Sequence, residues 1–266
     1  MRHLEVVPHL NVFANLSLDL NWRELGMTRT IVVSGGGTGI GKAVATRFAA
    51  CGDRVAIVGR RADVLEKVAK EIGGTALPAD LSEPAEVERV RADLAGRFGT
   101  IDVLVNNAGG NVEGRGGSDG VAERWMGNFR ANVLTSVLPT EAFRDLLNPS
   151  GRIVFISSIA AFRGSGGTSY GPMKAALHPY AFDLAAALGP RGITVNVVAP
   201  GFIEDTEFFG DALDDKRRAM LVEQTRTGRP GTPQDIAETV HWLASPGGGH
   251  VTAQIIQVNG GAERGR

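Results

Sequence analysis

The sequence predicts a doubly wound α/β fold: one domain on a parallel sheet of seven strands, with helices on both faces. Three observations carry that expectation. Short, β-branched, continuously apolar runs alternate with helix-like stretches, and strands apolar on both faces belong in a parallel sheet covered on both sides. A glycine-rich turn, "SGGGTGIG" (34–41), joins the first such run to the first helical stretch. No repeat, low-complexity tract or linker divides the 266 residues, which suit one large domain.

The elements follow in order. Residues 1–26 stand apart: Pro8, Asn11, Asn15 and Asp19 interrupt every apolar run, so the stretch reads as neither signal peptide nor membrane helix. Met27 then immediately precedes the first strand. Residues 1–26 are therefore expected to be an extension and 27–266 the domain, with a docked N-terminal arm as the alternative. Strands are expected at 30–34 ("TIVVS"), 54–59 ("RVAIVG"), 75–80 ("TALPAD"), 102–108 ("DVLVNNA"), 152–158 ("RIVFISS"), 194–200 ("TVNVVAP") and 254–260 ("QIIQVNG"). Helices are expected between them at 42–50, 62–72, 84–98, 121–147, 170–188 and 233–244.

Composition narrows the function classes. Hydrophobic residues make up 43% and charged residues 21%, ordinary for a soluble globular protein. A net charge of −1 gives no reason to expect nucleic acid or an anionic membrane as the main partner. The single cysteine, Cys51, has no internal disulfide partner, and no Cys/His grouping has zinc-ligand spacing, so no metal is expected. The expected location is cytoplasmic.

The glycine turn points to a dinucleotide. Strict G-x-G-x-x-G spacing is absent, and Gly35-x-x-x-Gly39-x-Gly41 stands in its place. The physics is the same: glycines permit a tight turn and let the backbone approach a pyrophosphate, which rests on the following helix N-terminus. A plain βα turn is the alternative. The end of the second strand sets cofactor preference, since an acidic residue there bonds a ribose 2′-hydroxyl and a basic one a 2′-phosphate. Here Gly59 is followed by Arg60 and Arg61, two guanidiniums suited to a phosphate, while Asp63 falls in the next helix as its N-cap or first-turn acid. NADP(H) is the expected cofactor and NAD(H) the alternative; two solvated loop arginines would serve neither.

"SYGPMK" (169–174) places Tyr170 one helical turn before Lys174, on the same face, and twelve residues after Ser158. Alone this is a surface pair. With "AD" (79–80), "NNAG" (106–109), Asn132, "SS" (157–158), "APG" (199–201) and "VNGG" (258–261) in the right order, the chain from Thr28 to Gly261 resembles the short-chain dehydrogenase/reductases. Within that family, "GITVNVVAPGFIEDTEF" looks most like the β-ketoacyl-carrier-protein reductase type.

The resemblance implies a Rossmann-type fold and a role for each matching position. Gly35, Gly37, Thr38, Gly39, Ile40 and Gly41 would hold the pyrophosphate side, with Arg60 and Arg61 on the 2′-phosphate. Asp80, with Leu81 beside it, would meet the adenine amine. Asn107, Ala108 and Gly109 would line the adenosine side, while Asn106 ties strands together. Pro200, Gly201, Ile203 and Thr206 would meet the nicotinamide. Asn132, Ser158, Tyr170 and Lys174 match the catalytic tetrad; Tyr170 and Lys174 also contact cofactor, and Ser157 competes with Ser158 for its place. Ser34 stands where threonine is usual, and both carry a hydroxyl.

A mechanism follows from those roles. A free tyrosine has a pKa of about 10, and the Lys174 charge, like that of a nearby nicotinamide cation, would favour the phenolate, tuning Tyr170 toward neutral pH as general acid/base. Ser158 would hold the carbonyl oxygen, and Asn132 a water that links Lys174 to solvent. The substrate is a ketone or secondary alcohol, or a β-ketoacyl thioester. Phe202, Phe208, Phe209, Met220 and Leu221 either line its pocket or fill core. Lys216, Arg217 and Arg218 either attract an acidic carrier protein or form a solvated helix face. The resemblance also implies a homotetramer paired through the C-terminal strand and through helices 121–147 and 170–188, which carry Val133, Leu134, Val137, Leu177, Leu184 and Leu188. The rival reading is a catalytically silent NADP-binding regulatory or scaffold protein of the same fold.

Overall fold

The computed structural model describes residues 28–112, 117–208 and 213–264; the expected extension lies outside the described residues. The β-branched runs form β1 (Thr30–Ser34), β2 (Arg54–Gly59), β3 (Thr75–Pro78), β4 (Ile101–Asn106), β5 (Leu147–Ile156), β6 (Thr194–Pro200) and β7 (Gln254–Val258). They pair in parallel in the order β3-β2-β1-β4-β5-β6-β7, with Ile31 of β1 opposite both Val55 of β2 and Val103 of β4. Strand order therefore reverses between β1 and β4, and that switch point is where a doubly wound sheet opens a crevice at its strand C-termini.

Alternation along the strands feeds two apolar layers. Ile31 and Val33 face one side, where Val44 and Phe48 of α1 (Gly39–Ala50), Leu65 of α2 (Ala62–Ile72) and Val240 of α9 (Pro233–Leu243) close over them. Val32 faces the other, against Leu94 of α3 (Pro84–Phe98), Phe143 of α5 (Thr135–Phe143) and Leu177 of α7 (Tyr170–Leu188). A fully buried leucine or phenylalanine stabilises such a layer by about 1.5–3 kcal/mol. The remaining helices are α4 (Gly117–Phe129), α6 (Ala160–Arg163) and α8 (Asp215–Glu223).

Several boundaries differ from expectation. The helix expected at 121–147 divides into α4, a π-helical turn at Arg130–Leu134, α5 and a 3₁₀ turn at Arg144–Leu146. The hydroxyls of Thr135, Ser136 and Thr140 donate to the carbonyls four residues back, at 2.8, 3.3 and 2.7 Å, and Pro139 has no N–H to give to the ladder. Both effects loosen regular helix. β5 then starts at Leu147, well before 152. β4 stops at Asn106, because the N–H groups of Asn107 and Ala108 turn to the Ser34 hydroxyl at 3.0 and 2.9 Å. β3 and β7 end two residues early, at Pro78 and Val258.

Leu177, Leu184 and Leu188 are buried in the core, not presented at a helix surface. The large apolar side chains left exposed on α4 and α7 are Val121, Trp125, Met126 and Phe182. Among the described residues no helix is long and apolar enough to cross a membrane, and no acidic, His or Cys cluster could hold a metal ion.

Candidate active site

The turn after β1 is built for close approach. Gly35 has φ +65°, a left-handed conformation that favours glycine. A Cβ on Gly41 would lie 2.1 Å from the Gly35 carbonyl oxygen and 2.5 Å from Asn107 Nδ2. Asn107 donates from Nδ2 to the carbonyls of Ser34 and Gly35, at 3.0 and 3.2 Å, so it ties β4 to the glycine turn. That corrects the expectation for Asn106, whose side chain donates instead to Thr140 on α5 at 2.8 Å. Thr38 N-caps α1 without a side-chain cap bond, leaving the first N–H groups of the helix facing a cleft of about 690 Å³. Gly37, Gly39, Val64, Lys67 and Thr206 line the same cleft. Ile40 packs against the core behind it.

Arg60 and Arg61 follow β2 and are exposed at the rim. Asp80 follows β3; its Oδ1 accepts from the Ser82 amide at 2.9 Å and hydroxyl at 2.8 Å. Burial pushes this carboxyl up, but the Ser82 bonds and the charges of Arg60 and Arg130 outweigh it and hold the pKa below the usual range. Leu81 is core, so only its backbone is left to meet a ligand.

Three consecutive residues leaving β5 grip three turns of α7. Ile156 accepts from Lys174 Nζ at 2.8 Å. Ser157 Oγ donates to the Lys174 carbonyl at 3.2 Å and lies 2.8 Å from His178 Nε2. Ser158 stands near the Tyr170 phenol, whose upward shift its hydroxyl opposes, and its Oγ accepts from the Ala160 amide at 3.1 Å. Ser158, and not Ser157, therefore stands with Tyr170. Burial pushes the phenol up to about 12, opposed by the nearby Ser158 hydroxyl, and pulls Lys174 down to about 8. Lys174 is not among the causes of this shift, which are burial and, against it, Ser158. The ammonium lies 5.9 Å from the ring centre and is engaged with Ile156, so desolvation dominates.

Asn132 lies in the π-helical turn, fully buried. It holds Gly110 by both backbone groups: Oδ1 accepts from the amide at 3.1 Å and Nδ2 donates to the carbonyl at 2.8 Å. One turn earlier Asn128 does the same to Val112, at 3.1 and 2.8 Å. Gly127 makes room, since a Cβ there would meet Val112 Cγ1 at 2.8 Å. A Cβ on Gly109 would lie 2.7 Å from Asn132 Oδ1 and 2.9 Å from Lys174 Nζ, so both groups close on that glycine. Asn128 also donates to the Arg124 carbonyl, which accepts from Ser169, the neighbour of Tyr170. Asn128→Leu should lower kcat while leaving nucleotide affinity nearly unchanged, at a cost of about 1–3 kcal/mol in stability. Steady-state turnover, a nucleotide titration and denaturant unfolding check the three parts.

A family model described as enoyl-(acyl carrier protein) reductase matches residues 35–263. The 3-oxoacyl-[acyl-carrier-protein] reductase FabG of Escherichia coli (strain K12) is 36% identical, over 86% of this chain and 95% of that protein. The chain is a short-chain dehydrogenase/reductase. The (2S)-[(R)-hydroxy(phenyl)methyl]succinyl-CoA dehydrogenase subunit BbsD of Thauera aromatica is 35% identical, over 88% and 96%. A short chain dehydrogenase from Burkholderia cenocepacia J2315, solved in complex with NADP, superposes with a TM-score of 0.80 at 32% identity, covering 88% of this chain and 97% of that one. As a member of the family, this chain is an NAD(P)-dependent oxidoreductase acting on CH–OH groups.

In this short-chain dehydrogenase/reductase the segment after β6 crosses the cleft. Gly201 packs where a Cβ would lie 2.8 Å from Asn259 Cβ, beside Pro200 at the strand end. Ile203 bridges to Gly231, buries its side chain in the core and accepts from the Thr206 hydroxyl at its carbonyl, at 3.3 Å. Thr206 lies against the turn, its Cγ2 3.3 Å from a Cβ position on Gly39. The Phe208 ring sits 5.1 Å from that of Tyr170. Phe202 is buried, Phe208 and Met220 are exposed, Leu221 is half-buried, and Phe209 lies outside the described residues. Asn128 and His178 escaped the sequence reading. The one available signal was spacing, for each lies four residues from a matched residue, Asn132 or Lys174.

Proposed function

We propose that this oxidoreductase is an NADP(H)-dependent carbonyl reductase whose general acid/base is Tyr170. One observation carries the reading: the buried Tyr170 phenol, its shift opposed by Ser158, one helical turn from buried Lys174, whose Nζ closes with Asn132 on Gly109. The Gly35–Gly41 cradle, which a single Cβ would fill, and the uncapped start of α1 fit a pyrophosphate, and Asp80 fits an adenine amine. Bound there, a nicotinamide supplies or takes up the hydride. Tyr170 gives its proton to the carbonyl oxygen, and Ser158 donates a hydrogen bond to the same oxygen, stabilising charge as it develops. Lys174 holds positive charge near the phenol and reaches for the ribose hydroxyls. Asn132 fixes the loop that borders both.

The substrates proposed are ketones and β-ketoacyl thioesters, supported by the acyl-carrier and acyl-CoA names of relatives and by apolar Phe208 beside Tyr170. α8 exposes Lys216, Arg217 and Arg218, and its capping Asp214 and neighbouring Glu204 balance them, which favours a solvated face. A homotetramer is proposed through exposed Trp125, Met126 and Phe182 in place of the buried leucines. NADPH oxidation with ketones and β-ketoacyl thioesters tests the reaction, and tight NADPH binding without turnover on either class would sink it. Arg60→Asp should lower kcat/KM for NADPH more than for NADH; an unchanged ratio would mean that Arg60 does not read the 2′-phosphate.

A further inference from the structure

Glu207 belongs to the segment after β6, yet its carboxylate reaches the adenosine end of the site. Its two oxygens meet the two Nη atoms of Arg61, at 3.3 Å and 2.8 Å. Oε2 also accepts from the Thr38 hydroxyl at 3.4 Å, and Arg61 reaches that hydroxyl at 3.4 Å. A two-oxygen anion is thus seated on a guanidinium fork between the N-cap of α1 and the end of β2. A phosphate would use the same donors in the same place. Lys42 lines this cleft but pairs with Glu71 at 2.6 Å, and Lys67 borders it beside Asp63 and Asp205.

We infer that Glu207 is a specificity-determining residue: it competes with the 2′-phosphate of an NADP-type cofactor for Arg61, and so sets the margin between phosphorylated and unphosphorylated dinucleotides. This rests on the reading of Arg60 and Arg61 as phosphate readers. A cofactor without the 2′-phosphate binds with the Glu207–Arg61 pair intact. One with it must displace the carboxylate, because two anions cannot share one fork. Arg61 and Glu207 side chains are 54% and 63% exposed, so the pair is weak enough to be displaced and depends on ionic strength. Removing the carboxylate therefore favours the phosphorylated ligand alone.

The test compares two probes that differ only in the 2′-phosphate, adenosine 2′,5′-bisphosphate and adenosine 5′-monophosphate, by calorimetric titration of the full chain. Glu207→Gln should tighten the bisphosphate at least about threefold, leave the monophosphate nearly unchanged, and lose this advantage in high salt. Glu207→Ala should repeat the result. Equal tightening of both probes would overturn the inference, since Glu207 would then act as a general negative charge. If the wild type prefers the bisphosphate, Arg61→Ala abolishes that preference, and neither Glu207 variant changes it, the competition is refuted while the phosphate reading stands. If the wild type binds both probes equally and Glu207→Gln leaves them equal, the phosphate reading itself fails, and the inference with it.

Discussion

Tyr170→Phe should lose about 10²- to 10⁴-fold in turnover while binding nucleotide nearly as well as the wild type. The substitution removes one hydroxyl and keeps a ring that is buried against Phe208 and above Lys174, so packing is conserved. What disappears is the proton that the raised pKa keeps on the phenol. Because burial places that pKa at about 12, the acid form prevails through neutral pH. Reductive turnover should therefore be flat across neutrality and fall above about pH 8, as Lys174 gives up its charge. Oxidation of the alcohol needs the phenolate and should rise with pH over the same range. Tyr180→Phe is the control, since that hydroxyl bonds Glu141 at 2.8 Å on the far part of α7. Single-turnover hydride transfer beside a nucleotide titration decides it, and a Phe variant that kept most of its rate would remove Tyr170 from the chemistry.

Gly41→Ala should abolish nucleotide binding and lower stability. Alanine would ordinarily favour a helix by about 1 kcal/mol over glycine. Here its Cβ would sit 2.1 Å from the Gly35 oxygen, inside any allowed contact, and 2.5 Å from the amide of Asn107 that ties β4 to the turn. The turn must move, at about 1–3 kcal/mol for an overpacked site, and the backbone that meets the pyrophosphate moves with it. Thermal denaturation and nucleotide titration measure the two effects. A variant with wild-type affinity would mean that this turn does not carry the phosphate.

Most of the fold was legible because parallel strands covered on both faces must be apolar throughout, and "TIVVS" or "TVNVVAP" has few other uses. The placing of Tyr170 and Lys174 was legible because helical spacing puts both on one face, whereas the choice of Ser158 over Ser157 came from the family resemblance. What stayed hidden depends on contacts between distant parts of the chain. Glu207 and Arg61 lie 146 positions apart, and nothing near either announces the other. The π-helical turn arises from hydroxyls that bond backwards, in a stretch whose pattern reads as plain helix. Leu177 and Leu184 were candidates for an interface because apolarity alone does not say which face of α7 meets the sheet. The charge of Lys174 was judged from its distance in sequence, whereas its effect on Tyr170 depends on burial.

The reversal of strand order between β1 and β4 also governs how the molecule is made. A ribosome delivers β1, β2 and β3 first, and these pair with one another through local crossovers. Ile31 waits for Val103, and Ser34 for the amides of Asn107 and Ala108, until β4 arrives. Closing that seam orders a long intervening chain, the slow kind of contact in folding. The glycine turn and its arginines are thus present before the wall that completes their cleft. A ligand spanning the seam stabilises only chains in which both halves have met, by mass action. Nucleotide supplied during cell-free synthesis should therefore raise the fraction of chains that reach the finished form, read as protease-resistant product, apart from any part it plays in turnover.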